Sequence, residues 1–421
     1  ALSNREINID GGNADPIHLE ITEPVFDSLR NDRVSYEIQT LLLKQLRESG
    51  FFTITKKYNK ETSGFSFFNF ILNKYSNNFV LGELTISVTN NLPNKIEVEL
   101  ALNDKIENRV VTKSVFTSID QWHRAASGLS DFIYKYYTKL DKGYLLSQIA
   151  YVAKSKHSKN NKRRIAIMDL YGKNLRYVTN GSNLVLSPKI SKDGKKLIYF
   201  SYESNDYPTI IQLDLASNLK SKLYEFDGML YAAKYSYDGS KVVMSASYNG
   251  NSEVVLLDLE SRQLQRLTNH YAIDTSPSIS PDNKQIVFNS DRDGSQQIYL
   301  FDIATKKIKQ ISFKSGRFAS PIWSPDGRYI AFTRIYNNKF SIGIINMHNL
   351  ETRILTESYK DESPSWSPNS KLLLFTRSYK NRKGNKNKLS KLFIIDLNGN
   401  LIKKINTASD ASDANWQELL L

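Results

Sequence analysis

From residue 187 onward the sequence repeats one phrase about every 44 residues, and this period constrains the fold more than any other feature. Each copy has a Ser-Pro pair or its variant, a short apolar stretch, a tight-turn sequence and an apolar β-branched strand. Short strands recurring at ~40–45 residues are typical of four-stranded propeller blades. The Asp or Asn of the turn marks the five copies: Asp193, Asp238, Asp282, Asp326 and Asn369.

A second signature, an Asp between apolar residues, ends the third strand of each copy. Because it recurs at a predicted turn, we interpret this Asp as a turn residue and not as a catalyst. The signature occurs six times, counting Asn346 in place of Asp, whereas the turn phrase occurs five times, so one inner strand remains to be found. Residues 409–416 resemble the beginning of that phrase, with Trp416 at the place of Trp323 and Trp366. We therefore predict that this C-terminal strand pairs with the strand at Ile149–Ala153 and closes a six-bladed β-propeller.

The first ~140 residues do not repeat, and their mixed periodicities predict a small α/β domain. We expect this N-terminal domain at 1–139 with a flexible N-terminal strand, a linker at 140–146 and the propeller at 147–421. Helices are predicted from Asn31 or Asp32 to Glu48, at Phe65–Tyr75 and at Ser118–Thr138. Strands are predicted at Phe51–Thr55, Phe79–Thr89, Lys95–Leu102 and Arg109–Thr117.

The composition excludes several classes of function. The 421 residues include no cysteine, which rules out disulfides, thiolate catalysis and Cys-type zinc sites. No apolar run reaches the length of a membrane span, so we expect none. Because the chain starts at Ala1 and not at Met, we expect a processed product whose signal peptide has been removed.

A search for catalytic motifs finds no nucleophile elbow, no phosphate-binding loop and no His-Glu-x-x-His. The five histidines are scattered, so we expect neither an enzyme nor a cofactor. Asp274 and Asp361 precede inner strands and would lie at the mouth of a central channel, where a hard cation could bind carboxylates. The alternative is that they are solvated rim charges and turn caps, and they remain weak metal candidates.

The net charge is +14, and two basic runs stand out. Both fall between the second and third strands of blades that closure makes neighbours, so we predict one positive patch on the mouth face. This patch could steer an acidic partner or an anionic surface, or the runs could be solvated hairpin tips. No aromatic residues are interleaved for base stacking, which disfavours nucleic acid. The patch comprises Lys154, Lys156, Lys159, Lys162, Arg163, Arg164, Lys380, Arg382, Lys383, Lys386 and Lys388.

An N-terminal α/β domain followed by a propeller of Ser-Pro-x-Trp-Ser-Pro-Asp-Gly repeats resembles the TolB family, the periplasmic propellers of the Tol-Pal system. The propeller repeat is shared with other families, and the order of the parts makes the resemblance specific. The matching segments are Ile-Asn-Ile-Asp-Gly-Gly at 7–12, Gln-Trp-His-Arg at 121–124, Lys-Gly at 142–143 with Ile-Ala-Tyr-Val at 149–152, and Ala-Asn-Trp at 414–416.

The resemblance implies a monomeric, non-enzymatic periplasmic adaptor that supports outer-membrane integrity and envelope constriction at cell division. The family's propeller mouth binds the lipoprotein Pal, and its N-terminal strand binds the C-terminal domain of TolA. Carried over by motif, the Pal-facing residues are Leu186, Met229, Ala232, Thr275, Ala319 and Glu362. The TolA-facing residues are Arg5, Glu6, Ile7, Asn8, Ile9, Asp10, Gly11 and Gly12.

Two alternatives belong to other classes. Propellers with this repeat also serve as gating domains of serine peptidases, but that function requires a hydrolase domain with its nucleophile elbow. A propeller hydrolase with a metal in the central channel would use the carboxylates near the inner strands, above all Asp274 and Asp361.

Overall fold

The computed structural model describes residues 16–57, 80–155, 162–203, 207–380 and 389–419. The contacts between these residues divide the chain into two compact units. One contains the described residues up to 146, and the other contains those from 147 onward.

The described residues of the first unit form a mixed sheet with two helices. Strand β1 is parallel to β3 and β4, whereas β4, β5 and β6 form an antiparallel meander in the order β3-β1-β4-β5-β6, with β2 paired to β4. A short 3₁₀ turn, Ile119–Gln121, precedes the second helix. The elements are β1 (Ile17–Ile21), β2 (Val25–Phe26), α1 (Leu29–Glu48), β3 (Phe52–Lys56), β4 (Gly82–Leu92), β5 (Lys95–Asp104), β6 (Arg109–Ser118) and α2 (Trp122–Thr138).

The predicted α/β character of this unit is confirmed. Helix α1 buries Leu42 and Leu46 against α2, and the Gln45 amide donates to the Ser127 hydroxyl at 2.8 Å between the two helices. Strands β1 and β2 were not predicted. The predicted helix at 65–75 lies outside the described residues.

The segment predicted as a linker, 140–146, lies within the first unit. Tyr144 and Leu145 are buried, and the Leu145 N–H donates to Asp131 Oδ1 at 2.9 Å. Asp131 is itself buried on α2, and desolvation raises the pKa of its carboxyl. These contacts attach the segment to α2.

The second unit is built from up-and-down β-meanders. Among its described residues, four sheets have four strands each and a fifth has eight. The four-stranded sheets, each given from inner to outer strand, are β30 (Asp410–Glu418), β7 (Ser147–Lys154), β8 (Arg163–Asp169), β9 (Arg176–Tyr177); β10 (Leu184–Ile190), β11 (Lys196–Tyr202), β12 (Thr209–Asp214), β13 (Lys220–Lys222); β14 (Leu230–Tyr235), β15 (Lys241–Tyr248), β16 (Asn251–Asp258), β17 (Leu264–Arg266); and β18 (Asp274–Ile279), β19 (Gln285–Ser290), β20 (Gln297–Asp302), β21 (Ile308–Gln310).

The eight-stranded sheet consists of two meanders of the same design. A single pair, Phe340 opposite Lys360, connects them. The propeller class is therefore confirmed, whereas a count of six blades requires that this sheet be divided in two. Its strands are β22 (Arg317–Trp323), β23 (Tyr329–Tyr336), β24 (Lys339–Asn346), β25 (Thr352–Ile354), β26 (Lys360–Trp366), β27 (Leu372–Ser378), β28 (Ser390–Asp396) and β29 (Leu401–Lys404).

The predicted pairing of the C-terminal strand is confirmed. Trp416 of β30 lies opposite Ile149 of β7, and its indole N–H donates to the Ser147 hydroxyl at 2.7 Å. The two chain segments therefore share one four-stranded sheet, in the order β30-β7-β8-β9.

The repeated turn residues act as the sequence predicts. In the first copy, the Ser191 hydroxyl donates to Asp193 Oδ1 at 2.6 Å and accepts the Lys196 N–H at 2.9 Å, and the other copies repeat this pattern. The third-strand Asp caps the next turn, where Asp214 accepts the Ser217 N–H at 2.8 Å. This bond lowers the pKa of Asp214.

Candidate protein-binding face of the propeller

The chain enters each inner strand at one end of the second unit, and we call that end the mouth face. Because successive strands of a meander run in opposite directions, the hairpins between second and third strands lie at the same end. The mouth face therefore combines segments such as 267–273, which leads into β18, with hairpins such as 291–296 between β19 and β20.

Every inner strand carries a bulge near the mouth face. The register of each inner strand shifts by one residue, and the shift contains a non-glycine residue with φ between 52° and 59°. Bulges of this kind redirect side chains next to binding sites. The residues that pair just before the shift, which we call the bulge ring, are Leu186, Tyr231, Thr275, Ala319, Glu362 and Ser412, and all are half-buried.

Four of the residues predicted to face Pal, namely Leu186, Thr275, Ala319 and Glu362, occupy equivalent places in the bulge ring. The other two do not. Met229 precedes β14, and Ala232 is the positive-φ residue of its bulge. The pairing of Tyr231 with Ser245 fixes this register, so Tyr231 is the structural equivalent of the other four residues. In this copy Ala-Ala replaces the Ser-Pro pair that marks the other copies. The sequence therefore did not show which residue of this blade is equivalent to the others.

The two acidic metal candidates are engaged by arginines. The Arg292 guanidinium donates to both Asp274 oxygens at 3.0 and 2.9 Å, and that of Arg377 donates to both Asp361 oxygens at 2.7 and 2.8 Å. Both carboxylates are fully buried. Within the described ranges no three acidic or histidine side chains are grouped as a metal site would require. These aspartates therefore anchor the starts of β18 and β26.

Large apolar side chains are exposed on the mouth face. Tyr271, Phe313 and Tyr207 are 84%, 67% and 63% exposed, and each lies in a segment that enters an inner strand or in a mouth hairpin. Sequence reasoning missed this feature, because an isolated aromatic residue in a loop gives no periodic signal. We call the exposed large apolar residues on the described part of the mouth face the aromatic rim, although three of them are aliphatic: Leu184, Tyr207, Tyr271, Ile273, Phe313, Tyr336, Tyr359, Tyr379 and Leu389.

The described part of the predicted basic patch lies where two neighbouring sheets meet. Lys154 and Arg163 face each other across the hairpin of β7 and β8, and Arg164 covers the Tyr177 ring at 3.6 Å. Lys391 of β28 lies 3.5 Å from Asp410 of β30, so the strands that flank the second basic run lie beside the sheet of β30 and β7. Lys162 and Lys380 are exposed. The remaining patch residues lie outside the described residues, as does the segment predicted to face TolA, Arg5–Gly12; the patch residues are Lys156, Lys159, Arg382, Lys383, Lys386 and Lys388.

Comparison with known proteins identifies the family. The family model described as the TolB β-propeller domain matches residues 134–420. The chain belongs to the TolB β-propeller family. Two curated relatives, each named Tol-Pal system protein TolB, come from Rickettsia prowazekii and Rickettsia bellii, with 35% identity over 250 residues and 33% over 249 residues. These alignments cover 58% of this chain, which spans little more than half the length of those TolB relatives, 56% and 55%.

Solved structures extend the similarity to both units. The crystal structure of TolB from Acinetobacter baumannii matches with a TM-score of 0.78 and 26% identity, covering 96% of this chain and 97% of that one. A putative TolB from Agrobacterium tumefaciens matches 65% of this chain and 99% of its own at a TM-score of 0.51 and 20% identity, which shows the fold alone. Neither helix in the described part of the chain combines the length and apolar character that a bilayer crossing demands.

Proposed function

We propose that this chain is a non-enzymatic periplasmic adaptor of the Tol-Pal system. It binds Pal at the mouth face and the C-terminal domain of TolA through its N-terminal segment, and so supports outer-membrane integrity and envelope constriction at cell division. Membership of the TolB family and the names of the curated relatives support the assignment to this system.

The observation that carries the proposal is the aromatic rim. A soluble protein rarely exposes several large apolar side chains on one face unless that face binds something. Aromatic residues are enriched where proteins bind each other, since they bury a large area at low entropic cost. The rim surrounds the bulge ring, so a partner loop that contacts the rim also reaches Thr275 and its equivalents.

The proposed architecture for this task has six blades. Dividing the eight-stranded sheet at the single Phe340–Lys360 pair gives two four-stranded meanders that match the other four. A ring closed by β30 and β7 is rigid, so a partner entering the mouth face binds a preorganised surface.

The basic patch has a separate role in this proposal. Its charges increase the rate at which an acidic partner or anionic surface approaches the mouth face, and this effect weakens as salt screens it. The aromatic rim supplies the short-range contacts after that encounter.

The test of Pal binding uses Thr275→Trp. Thr275 is half-buried in the bulge ring, and its hydroxyl accepts that of Ser245 at 3.1 Å. A bulky indole there fills the space that the partner would occupy. We expect the affinity for the soluble domain of Pal, measured by calorimetry, to fall at least ~10-fold, about 1.4 kcal/mol.

Two further variants make this test decisive. Tyr271→Ala changes a residue that is 84% exposed, so it should weaken Pal binding without altering the unfolding midpoint. Glu260→Trp adds an indole to the exposed turn after β16, at the opposite end of that sheet, and should leave affinity unchanged. Unchanged affinity in both Thr275→Trp and Tyr271→Ala would refute binding at the mouth face.

The test of TolA binding removes residues 1–13. Ile7 and Ile9 alternate with polar neighbours, a pattern suited to strand addition. We expect the truncated chain to lose affinity for the C-terminal domain of TolA and to retain affinity for Pal. If TolA still bound the truncated chain with full affinity, the N-terminal segment would not be its site.

A further inference from the structure

A second set of equivalent positions lies three residues after the bulge ring along each inner strand, further from the mouth face. At three of them a side-chain oxygen accepts a backbone N–H from the next inner strand. Ser278 accepts from Trp323 at 3.1 Å, Ser365 from Trp416 at 3.0 Å and Asn415 from Ile190 at 2.9 Å. These hydrogen bonds connect neighbouring sheets around the channel.

Two adjacent sheets have a lysine at this position. Lys189 of β10 and Lys234 of β14 have no oxygen, and a protonated ammonium cannot accept a hydrogen bond. Neither lysine can therefore make the inter-sheet bond that Ser278, Ser365 and Asn415 make. The hydrogen bonding between neighbouring sheets therefore does not explain why Lys189 and Lys234 occupy these positions.

The ammonium groups lie against inner-strand carbonyls. Lys234 Nζ donates to the Pro277 carbonyl of the next sheet at 3.0 Å, and Lys189 Nζ lies 3.4 Å from the Pro188 carbonyl. Each ammonium has three N–H donors, of which the carbonyl takes one. Both side chains are half-buried, so their remaining donors lie in a confined space.

The positive charges of Lys189 and Lys234 are not fully balanced by a neighbouring carboxylate. Burial, together with the nearby Lys189 ammonium, lowers the pKa of Lys234 to about 7. Burial also lowers the pKa of Lys189, and the carboxylate of Asp413 opposes this effect. Asp413 is the residue of β30 at positive φ in its bulge. The Asp413 carboxylate therefore stabilises the charge of Lys189, whereas the charged neighbour that acts on Lys234 is the Lys189 ammonium.

We propose that Lys189 and Lys234 form an anion site in the channel wall that binds one carboxylate. Two ammonium groups with available donors match the two oxygens of a carboxylate, and charge-assisted hydrogen bonds are strong where water is limited. The carboxylate is either that of an Asp or Glu side chain of a partner or a free small carboxylate. The site requires only the propeller, so it does not depend on the identity of the proposed partners.

The experiment observes the two lysines directly. The lysines of the chain are labelled with ¹³C at Cε during expression, which leaves all three N–H donors in place, and the two Cε–H signals are assigned with Lys189→Arg and Lys234→Arg. At pH 6, where Lys234 is protonated, sodium acetate is titrated against sodium chloride at constant ionic strength. We expect the two signals to shift and saturate with acetate, while the signal of exposed Lys314 follows ionic strength alone.

A second titration distinguishes the source of the carboxylate. It compares a blocked Gly-Glu-Gly peptide with its Gly-Gln-Gly analogue. Saturation by acetate alone indicates a free carboxylate, and saturation by the Glu peptide but not by the Gln peptide indicates a partner side chain. In either case we expect Lys189→Met to raise the dissociation constant, measured from the Lys234 signal, ~10-fold. If neither acetate nor the Glu peptide saturates the signals, the site is refuted.

Discussion

Gly143 lies against Asp131 so closely that no larger residue fits without movement. A Cβ placed on Gly143 would lie 2.0 Å from Asp131 Oδ1. The same carboxylate accepts the Leu145 N–H, so it cannot move away without losing that bond. Gly143 is therefore required by the packing of this segment on α2.

At the residue scale, Gly143→Ala should destabilise the first unit. Overpacking of this kind costs about 1–3 kcal/mol. Urea denaturation, followed by a probe in the first unit, should show this loss. Adding Asp131→Ala removes the clashing carboxylate, so the double variant should lose less stability than the sum of the two single variants. Strict additivity would show that the two residues do not clash.

Some features of single residues could be predicted from the sequence, and others could not. The repeat predicted the turn aspartates and the pairing partner of Trp416, because both depend on patterns along the chain. The aromatic rim and the pairing of Asp274 with Arg292 depend on which residues meet in space. Tyr231 was missed for a related reason, since only strand register separates it from Met229 and Ala232.

At the scale of the element, inner strands are anchored at their first residues by buried ion pairs. Asp274 opens β18 and is fully buried, while the Arg292 side chain that binds both its oxygens is 12% exposed. Arg292 also packs over the Phe288 and Tyr299 rings. The pair thereby joins β18 to the hairpin after β19.

Asp274→Asn should strongly destabilise the propeller, because it leaves a largely buried guanidinium without its counter-charge. The expected loss is about 3–5 kcal/mol by chemical denaturation. Glu225→Gln is the matched control, since Glu225 forms a 3.1 Å pair with Lys222 but its side chain is 80% exposed. A comparably small effect in both variants would contradict the anchoring role of Asp274.

Other elements were only partly predictable. Helix α1 and strands β4 to β6 follow from strong periodicity, whereas β1 was missed despite its alternating buried pattern, since five residues give a weak signal. The inner-strand bulges also have no simple sequence signature, because the residue at positive φ is serine in four strands, alanine in one and aspartate in another.

At the scale of the whole molecule, the period and the pairing of β30 with β7 define a propeller. The same arrangement brings six inner-strand entries and their hairpins to one face. A face built from so many separate segments cannot be recognised from any one of them, which explains why its aromatic rim became visible only in the fold.

Hydrogen–deuterium exchange with and without the soluble domain of Pal tests the mouth face most directly, because it reports on every segment of the chain at once. We predict that Pal slows exchange in segments that enter the inner strands, above all 267–273, 311–316 and 355–359, and leaves the outer strands β13, β17 and β21 unchanged. Protection confined to those outer strands or to the first unit would contradict the account.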